Sequence, residues 1–186
     1  MRIQLENVGI AVRDLEAAIA FFTDLRLTVL GRDTVSGEWT DTAVGLDGNH
    51  ANIAMLQTPD GNGRLELFEY IHPDAIETEP TRPNEIGMHR VAFSVDDIDE
   101  ALAIAARHGC HPLRGVATYE EVYKLAYVRG PSGILVMLAE ELKRADRAPA
   151  RDRHLTSPHP PAPGVLSSGA RWDAHRVLIV AEKPRA

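Results

Sequence analysis

The chain has a single cysteine, Cys110, and its 186 residues contain no long uninterrupted apolar run. One cysteine cannot form an internal disulfide, which agrees with a reducing compartment. A transmembrane helix needs about 18 or more consecutive apolar residues, and a secretion signal needs a charged segment before an apolar one. Neither pattern is present. We therefore expect a cytoplasmic protein without a membrane partner.

The sequence also lacks the best-known catalytic and phosphate-binding motifs. It has no His-Glu-x-x-His pair of metal ligands and no glycine-rich phosphate loop. His108, Cys110 and His111 do lie close together, at the end of a predicted helix that Gly109 can cap. The helix dipole favours histidine at that end, so we expect a structural role for this cluster.

Charge is distributed unevenly along the chain. Residues 1–142 carry eleven Lys/Arg and twenty-three Asp/Glu, a net charge of −12, whereas residues 143–186 carry nine and four, a net charge of +5. An acidic body disfavours nucleic acid, so we expect no nucleic-acid partner. Six of the twelve prolines fall in residues 143–186. This composition predicts a disordered basic tail.

One strand–helix motif occurs twice in the remaining sequence. Asn7 opens an alternating segment that ends at the predicted helix cap Asp14, and Arg90 opens a second one that ends at Asp97, 83 residues later. The repeat predicts two packed modules, residues 1–78 and 85–142, joined by a proline-rich link. Asn7 and Arg90 should then lie near the pseudo-twofold axis, beside a shared pocket.

The alternation of apolar and polar residues predicts the main elements of each module. Strands are expected over Ile3–Val12 and Met88–Val95, and the amphipathic helices Leu15–Asp24 and Ile98–His108 follow them. Further strands follow each helix, including one over Leu113–Val116. In both first strands the face away from the helix is small or polar, which favours a cavity wall over a packed core.

Four segments taken together resemble one protein family. They are Val8 to Phe22, Leu65-Glu-Leu-Phe-Glu69, Gly87-Met-His-Arg-Val-Ala-Phe93 and Gly130-Pro-Ser-Gly-Ile-Leu-Val-Met-Leu138. Over residues 3–142 the chain resembles the vicinal oxygen chelate superfamily of glyoxalases, bleomycin-resistance proteins and extradiol dioxygenases. The resemblance implies an α+β fold in which two paired βαβββ modules form an open, cup-shaped barrel.

The resemblance also implies the location of a site. Metal-using members place four ligands in the cup, one on the first and last strand of each module, and the matching residues here are Asn7, Glu66, Arg90 and Met137. Only Glu66 is an ordinary ligand for a hard divalent ion, and Arg90 is a fixed cation that repels one. We therefore expect no metal and no other cofactor. Strand alternation predicts that His89 points away from the cavity.

Two interpretations of Glu66 and Arg90 stay open. In the first, Glu66 is a general base and Arg90 is an electrostatic clamp on a carboxylate, enolate or carbonyl oxygen. In the second, the two form an ion pair that plugs a dead site. Aromatic and polar neighbours are expected to bind the ligand, with one tryptophan as a lid. These predicted ligand-binding residues are Asn7, Tyr123, Tyr127, Arg129, Met137 and Trp39.

Two functions agree with these expectations. The first is a metal-independent enzyme of the isomerase, lyase or cyclase kind that acts by acid–base chemistry on a small carbonyl-containing metabolite. The second is a binding protein of the bleomycin-resistance type that sequesters a drug or metabolite. Both predict a small-molecule partner, and the resemblance implies a homodimer. The sequence does not identify the substrate or ligand.

Overall fold

A computed structural model describes residues 3–142, so the predicted disorder of residues 143–186 lies outside the described part of the chain. The first module contains four strands and two helices: β1 (Val8–Ala11), α1 (Leu15–Asp24), β2 (Thr28–Ser36), α2 (Glu38–Val44), β3 (His50–Gln57) and β4 (Arg64–His72). The second contains five strands, one α-helix and a short 3-10 helix over Pro131–Gly133: β5 (Val91–Val95), α3 (Ile98–Arg107), β6 (His111–Pro112), β7 (Ala117–Tyr119), β8 (Tyr123–Arg129) and β9 (Leu135–Glu141). No helix within residues 3–142 has the length and apolar character that crossing a membrane requires.

Each module builds one mixed sheet in which its first strand lies parallel to its last. The strand order is β1-β4-β3-β2 in the first sheet and β5-β9-β8-β6 in the second, where β7 also pairs with β8. The β1–β4 and β5–β9 pairs are parallel, and the other pairs are antiparallel. This arrangement confirms the predicted α+β fold of two βαβββ modules.

Both long helices begin at the aspartates that the sequence predicts as caps. The Asp14 carboxylate accepts a hydrogen bond from the Ala17 amide at 2.8 Å, and the Asp97 carboxylate accepts one from the Glu100 amide at 2.9 Å. Each cap satisfies a backbone donor that has no partner inside the helix.

A second, unpredicted contact ties each helix to the last strand of its module. The Glu69 carboxylate accepts a hydrogen bond from the Leu15 amide at 3.2 Å, and the Glu140 carboxylate accepts one from the Ile98 amide at 3.0 Å. The two glutamates lie three residues after Glu66 and Met137, on the opposite face of their strands. In each module, therefore, the last strand carries both the site residue and the glutamate that binds the start of the helix.

The two modules share a single hydrophobic core. The predicted stripe of α1, which includes Ile19 and Phe22, is buried, and so is its neighbour Phe21. The Phe22 ring also lies 6.2 Å from the ring of Phe93 on β5, measured between centroids. Helix α1 of the first module therefore packs against the sheet of the second.

Three predicted boundaries are wrong. The strands predicted over Ile3–Val12 and Met88–Val95 begin only at Val8 and Val91, because pairing with the last strand of each module starts there. Residues Leu113–Val116 form no strand but connect two short strands, with a bend at 113–114, and the helix α2 was not predicted. Asn7 and Arg90 consequently lie just before their strands.

Because Phe22 fills the core between the modules, Phe22→Ala should lower the free energy of unfolding by about 3–5 kcal/mol. Urea denaturation should still show one transition, since both modules lose the same contact. Ile86→Ala is the matched control, because Ile86 is fully exposed and its loss should cost less than about 0.5 kcal/mol. Two separate transitions, or equal losses in both variants, would show that the modules do not depend on this core.

Candidate functional site

The first half of the candidate site is a hydrogen-bonded pair in module one. Gly9 on β1 lies opposite Glu66 on β4, so Asn7 reaches the Glu66 side chain from just before the strand. The Asn7 amide nitrogen Nδ2 donates to Glu66 Oε2 at 3.1 Å. Glu66 is half-buried, and its second oxygen Oε1 makes no hydrogen bond within residues 3–142. Asn7 thus orients the carboxylate and leaves one oxygen unoccupied.

The second half is an arginine cluster in module two. Met137 lies opposite Ala92 on one side and Tyr127 on the other, so its sulfur lies beside the start of β5. Arg90 Nε donates to Met137 Sδ at 3.3 Å, and its Cζ lies 5.3 Å from the centre of the Tyr127 ring. The guanidinium is therefore held by a sulfur and an aromatic face, and neither neighbour neutralises its charge.

The prediction that His89 points away from this cluster is wrong. The His89 ring lies 5.6 Å from the Tyr127 ring, and its Nδ1 is 3.1 Å from Arg90 Nη1. Strand alternation fails here because β5 begins only at Val91, so His89 and Arg90 are free to turn to the same side. An arginine nitrogen can only donate, so His89 Nδ1 accepts and Nε2 carries the proton. That Nε2 atom is buried and has no partner within the described residues.

Glu66 and Arg90 do not form the ion pair that a plugged site requires. Within residues 3–142 no salt bridge involves either side chain, although eight others are present. Each charged group instead contacts neutral partners of its own module. Both charges therefore stay available to a ligand.

A cleft between the modules brings Asn7 and Arg90 together. Its volume is about 280 Å³, and its walls come from the start of β1, the β3–β4 turn and the start of β5. Glu66 and Met137 do not line this cleft but are hydrogen-bonded to Asn7 and Arg90, which do. A volume of this size lies at the lower end of the range for small-molecule pockets.

The other predicted ligand-binding residues lie elsewhere or are already engaged. Tyr123 is buried opposite Glu141, and this burial, together with the nearby carboxylate, raises the pKa of its phenol. Arg129 Nη1 donates to the carbonyl oxygens of Thr81 and Gly133, so it holds the link between the modules. Trp39 lies on α2 and is two-thirds exposed. None of the three lines the cleft.

The donor set at the four family positions does not fit a divalent metal ion. It offers one carboxylate, one amide and one thioether, and the amide and the thioether already contact Glu66 and Arg90. A guanidinium occupies the fourth position, where it would repel a cation. Elsewhere, His108 Nε2 contacts the Asp24 carboxylate at 2.8 Å, and no group of three His, Cys, Asp or Glu side chains in the described residues has a metal-binding arrangement.

Comparison with known proteins adds relatives of known fold. Residues 6–127 match the model of the glyoxalase/bleomycin resistance protein/dioxygenase superfamily. A solved glyoxalase-family protein from Bacillus cereus has 40% sequence identity and a TM-score of 0.73, and the match covers 76% of this chain and 96% of that one.

Two curated relatives are more distant. A 2-epi-5-epi-valiolone epimerase from an Actinomyces species is 36% identical over 104 residues, which cover 53% of this chain and 55% of the epimerase. The chain therefore spans little more than half the length of that enzyme. The uncharacterized Escherichia coli protein YaeR is 28% identical over 140 residues, 74% of this chain and 96% of that protein. Because the family match and the fold cover well over half of its length, the chain belongs to the glyoxalase/bleomycin resistance protein/dioxygenase superfamily.

Proposed function

We propose that this protein is an isomerase that moves a proton at the carbon next to a carbonyl group, with Glu66 as the base and without a metal ion. The substrate is a small carbonyl compound that enters the cleft between the modules and reaches past the Asn7 side chain to the half-buried Glu66, which does not itself line the cleft. Glu66, Asn7 and Arg90 carry the chemistry, and Met137 and Tyr127 hold Arg90.

The observation that carries this proposal is the environment of the Glu66 carboxylate. Its Oε2 is fixed by the Asn7 amide at 3.1 Å, its Oε1 is unoccupied, and no cation lies within 4.0 Å of it in the described chain. A carboxylate engaged by a cation is a weaker base, whereas this one is oriented by a neutral donor.

The reaction needs one base and one positive charge. Glu66 Oε1 takes the proton from the carbon next to the carbonyl, and the electron pair of that C–H bond forms a new C–C double bond. The carbonyl electron pair moves to oxygen, where the Arg90 guanidinium compensates the enolate charge. Return of the proton from Glu66 to a neighbouring position isomerises the substrate. Inversion of the carbon instead needs a proton from water on the opposite face, and Glu66 then releases its own proton to solvent.

One relative, the epimerase, supports an isomerase. An epimerase inverts one stereocentre, and proton removal next to a carbonyl is a general route to that inversion. The likeness to the epimerase covers only 104 residues, so the epimerase substrate is not carried over. The proposal includes no metal ion because the side chains at the four family positions are poor ligands for one. Arg90, at one of these positions, supplies the positive charge instead.

The proposal predicts that Glu66→Gln lowers turnover by about 10²- to 10⁴-fold, because glutamine keeps the shape but cannot accept the proton. Turnover is measured as exchange of the substrate proton in D₂O by NMR, over a panel of cyclic polyhydroxy ketones, 2-keto acids and phosphorylated ketones. Glu69→Gln is the matched control, since Glu69 lies on the same strand but caps α1. It should keep turnover within about threefold of wild type.

The alternative function, sequestration of a drug or metabolite, predicts a different pattern. A binding protein would retain tight binding of a panel compound and catalyse no exchange in either wild type or Glu66→Gln. Equal exchange rates in wild type and Glu66→Gln would remove Glu66 from the chemistry.

Double-mutant cycles separate this proposal from a plugged site. Glu66→Ala and Arg90→Ala should have additive effects on the free energy of unfolding, with a coupling below about 0.5 kcal/mol, because the two side chains do not touch. Glu66→Ala and Asn7→Ala share a hydrogen bond and should couple by about 1 kcal/mol. A larger coupling energy for Glu66 with Arg90 than for Glu66 with Asn7 would show that Glu66 and Arg90 form the ion pair of a plugged site.

A further inference from the structure

Arg90 is a half-buried cation without a counterion. The exposed Arg13 and Arg32 and the half-buried Arg64 each contact a carboxylate, whereas Arg90 contacts none within the described residues. A partly buried charge is costly unless it is paired, so an unpaired one indicates a missing partner. That partner carries negative charge.

The contacts of Arg90 hold its position without using its charge. Met137 Sδ accepts from Nε, His89 Nδ1 accepts from Nη1, and the Tyr127 ring lies against the guanidinium. All three neighbours are neutral in this arrangement, because a protonated His89 could not accept. The nitrogen Nη2 has no partner within residues 3–142. A fixed guanidinium with an unoccupied nitrogen is suited to an oxyanion.

The charge around the cleft agrees with this ligand. Its charged lining residues are Arg90, Arg64 and Glu6, and Arg64 Nη1 is paired with Glu6 at 2.6 Å, so the net charge of the lining is +1. The surrounding body, residues 1–142, has a net charge of −12. A second cleft, of about 750 Å³, is lined by one arginine and four carboxylates, so it does not offer the same attraction. The small cleft is therefore a local positive site in an acidic protein.

We propose that the ligand of this cleft carries an anionic oxygen group, a carboxylate or a phosphate, and that Arg90 binds it. The inference rests on the proposed function in placing the substrate beside Arg90, and it narrows the substrate class to small anionic carbonyl compounds. A volume of about 280 Å³ suits a molecule of a few carbon atoms. His89 and Met137 act as positioning residues that keep the guanidinium turned to the cleft.

Binding of matched charged and neutral compounds tests this inference. Pyruvate is compared with methyl pyruvate, and dihydroxyacetone phosphate with dihydroxyacetone, by NMR titration of the full-length protein. The charged member of at least one pair should bind about tenfold or more tightly, since charge-assisted hydrogen bonds are lost in the neutral one. The pair that shows the preference distinguishes a carboxylate from a phosphate site.

Three variants assign that preference to Arg90. Arg90→Met should reduce it to less than about twofold, and Arg90→Lys should keep part of it, because lysine retains the charge. Arg64→Met, which removes a paired cation from the same cleft, should leave most of it. Equal binding of charged and neutral compounds to wild type, or a preference that survives in Arg90→Met of native fold, would overturn the inference.

The same titrations on Glu66→Gln separate this inference from the proposed function. Binding needs no proton transfer, and the substitution removes only a negative charge, so the preference for anions should be at least as strong in that variant. An anion preference together with unchanged turnover in Glu66→Gln would reject the proposed base and keep the anion site. Loss of the preference in Glu66→Gln would reject the anion site as described.

Discussion

The packing of α1 against both modules is the constraint on which the rest of the structure depends. Phe22 lies in the core of its own module and also meets Phe93 on β5, and the neighbouring Phe21 meets His108 at the end of α3. His108 in turn contacts Asp24, the last residue of α1. These contacts bring the starts of β1 and β5 to one cleft, although no backbone pairing joins the two sheets in the described chain. Asn7 and Arg90 meet in one cleft because the two helices are packed in this way.

The site that results keeps two opposite charges apart. In a plugged site Glu66 and Arg90 would neutralise each other, whereas here each is held by neutral groups of its own module. Neutral partners orient a charged group without neutralising it, so both charges can act on a ligand. A cation in the wall of a small cleft, with a carboxylate held by the Asn7 side chain that also lines it, is an arrangement that serves proton transfer next to a carbonyl group.

Much of the fold could be predicted because its signals are local. The helix caps Asp14 and Asp97 and the buried stripe of α1 follow from spacing alone. The 83-residue repeat and the family resemblance identified Asn7 and Arg90, which the structure brings to one cleft.

The remaining features depend on where pairing stops and on contacts between distant residues. His89 turns toward Arg90 because β5 starts one residue later than Arg90, a boundary that alternation cannot locate. Arg129 shares a strand with Tyr127, yet its guanidinium donates hydrogen bonds to two backbone carbonyls, one in the link and one in the final turn. Glu69 caps α1 across 54 residues of sequence, and no local pattern encodes such a contact.

The central claim is that the charge of Arg90 takes the place of a metal ion at this site, and metal analysis tests it most directly. Protein purified with Zn, Ni, Mn and Fe in the medium should contain far less than one equivalent of metal per chain. A variant with Asn7→His, Arg90→His and Met137→Glu should gain about one equivalent of metal. The two new imidazoles and the new carboxylate would then complete, with Glu66, a set of four ordinary metal ligands. About one equivalent of metal in the wild-type protein, lost in Glu66→Ala, would contradict the claim.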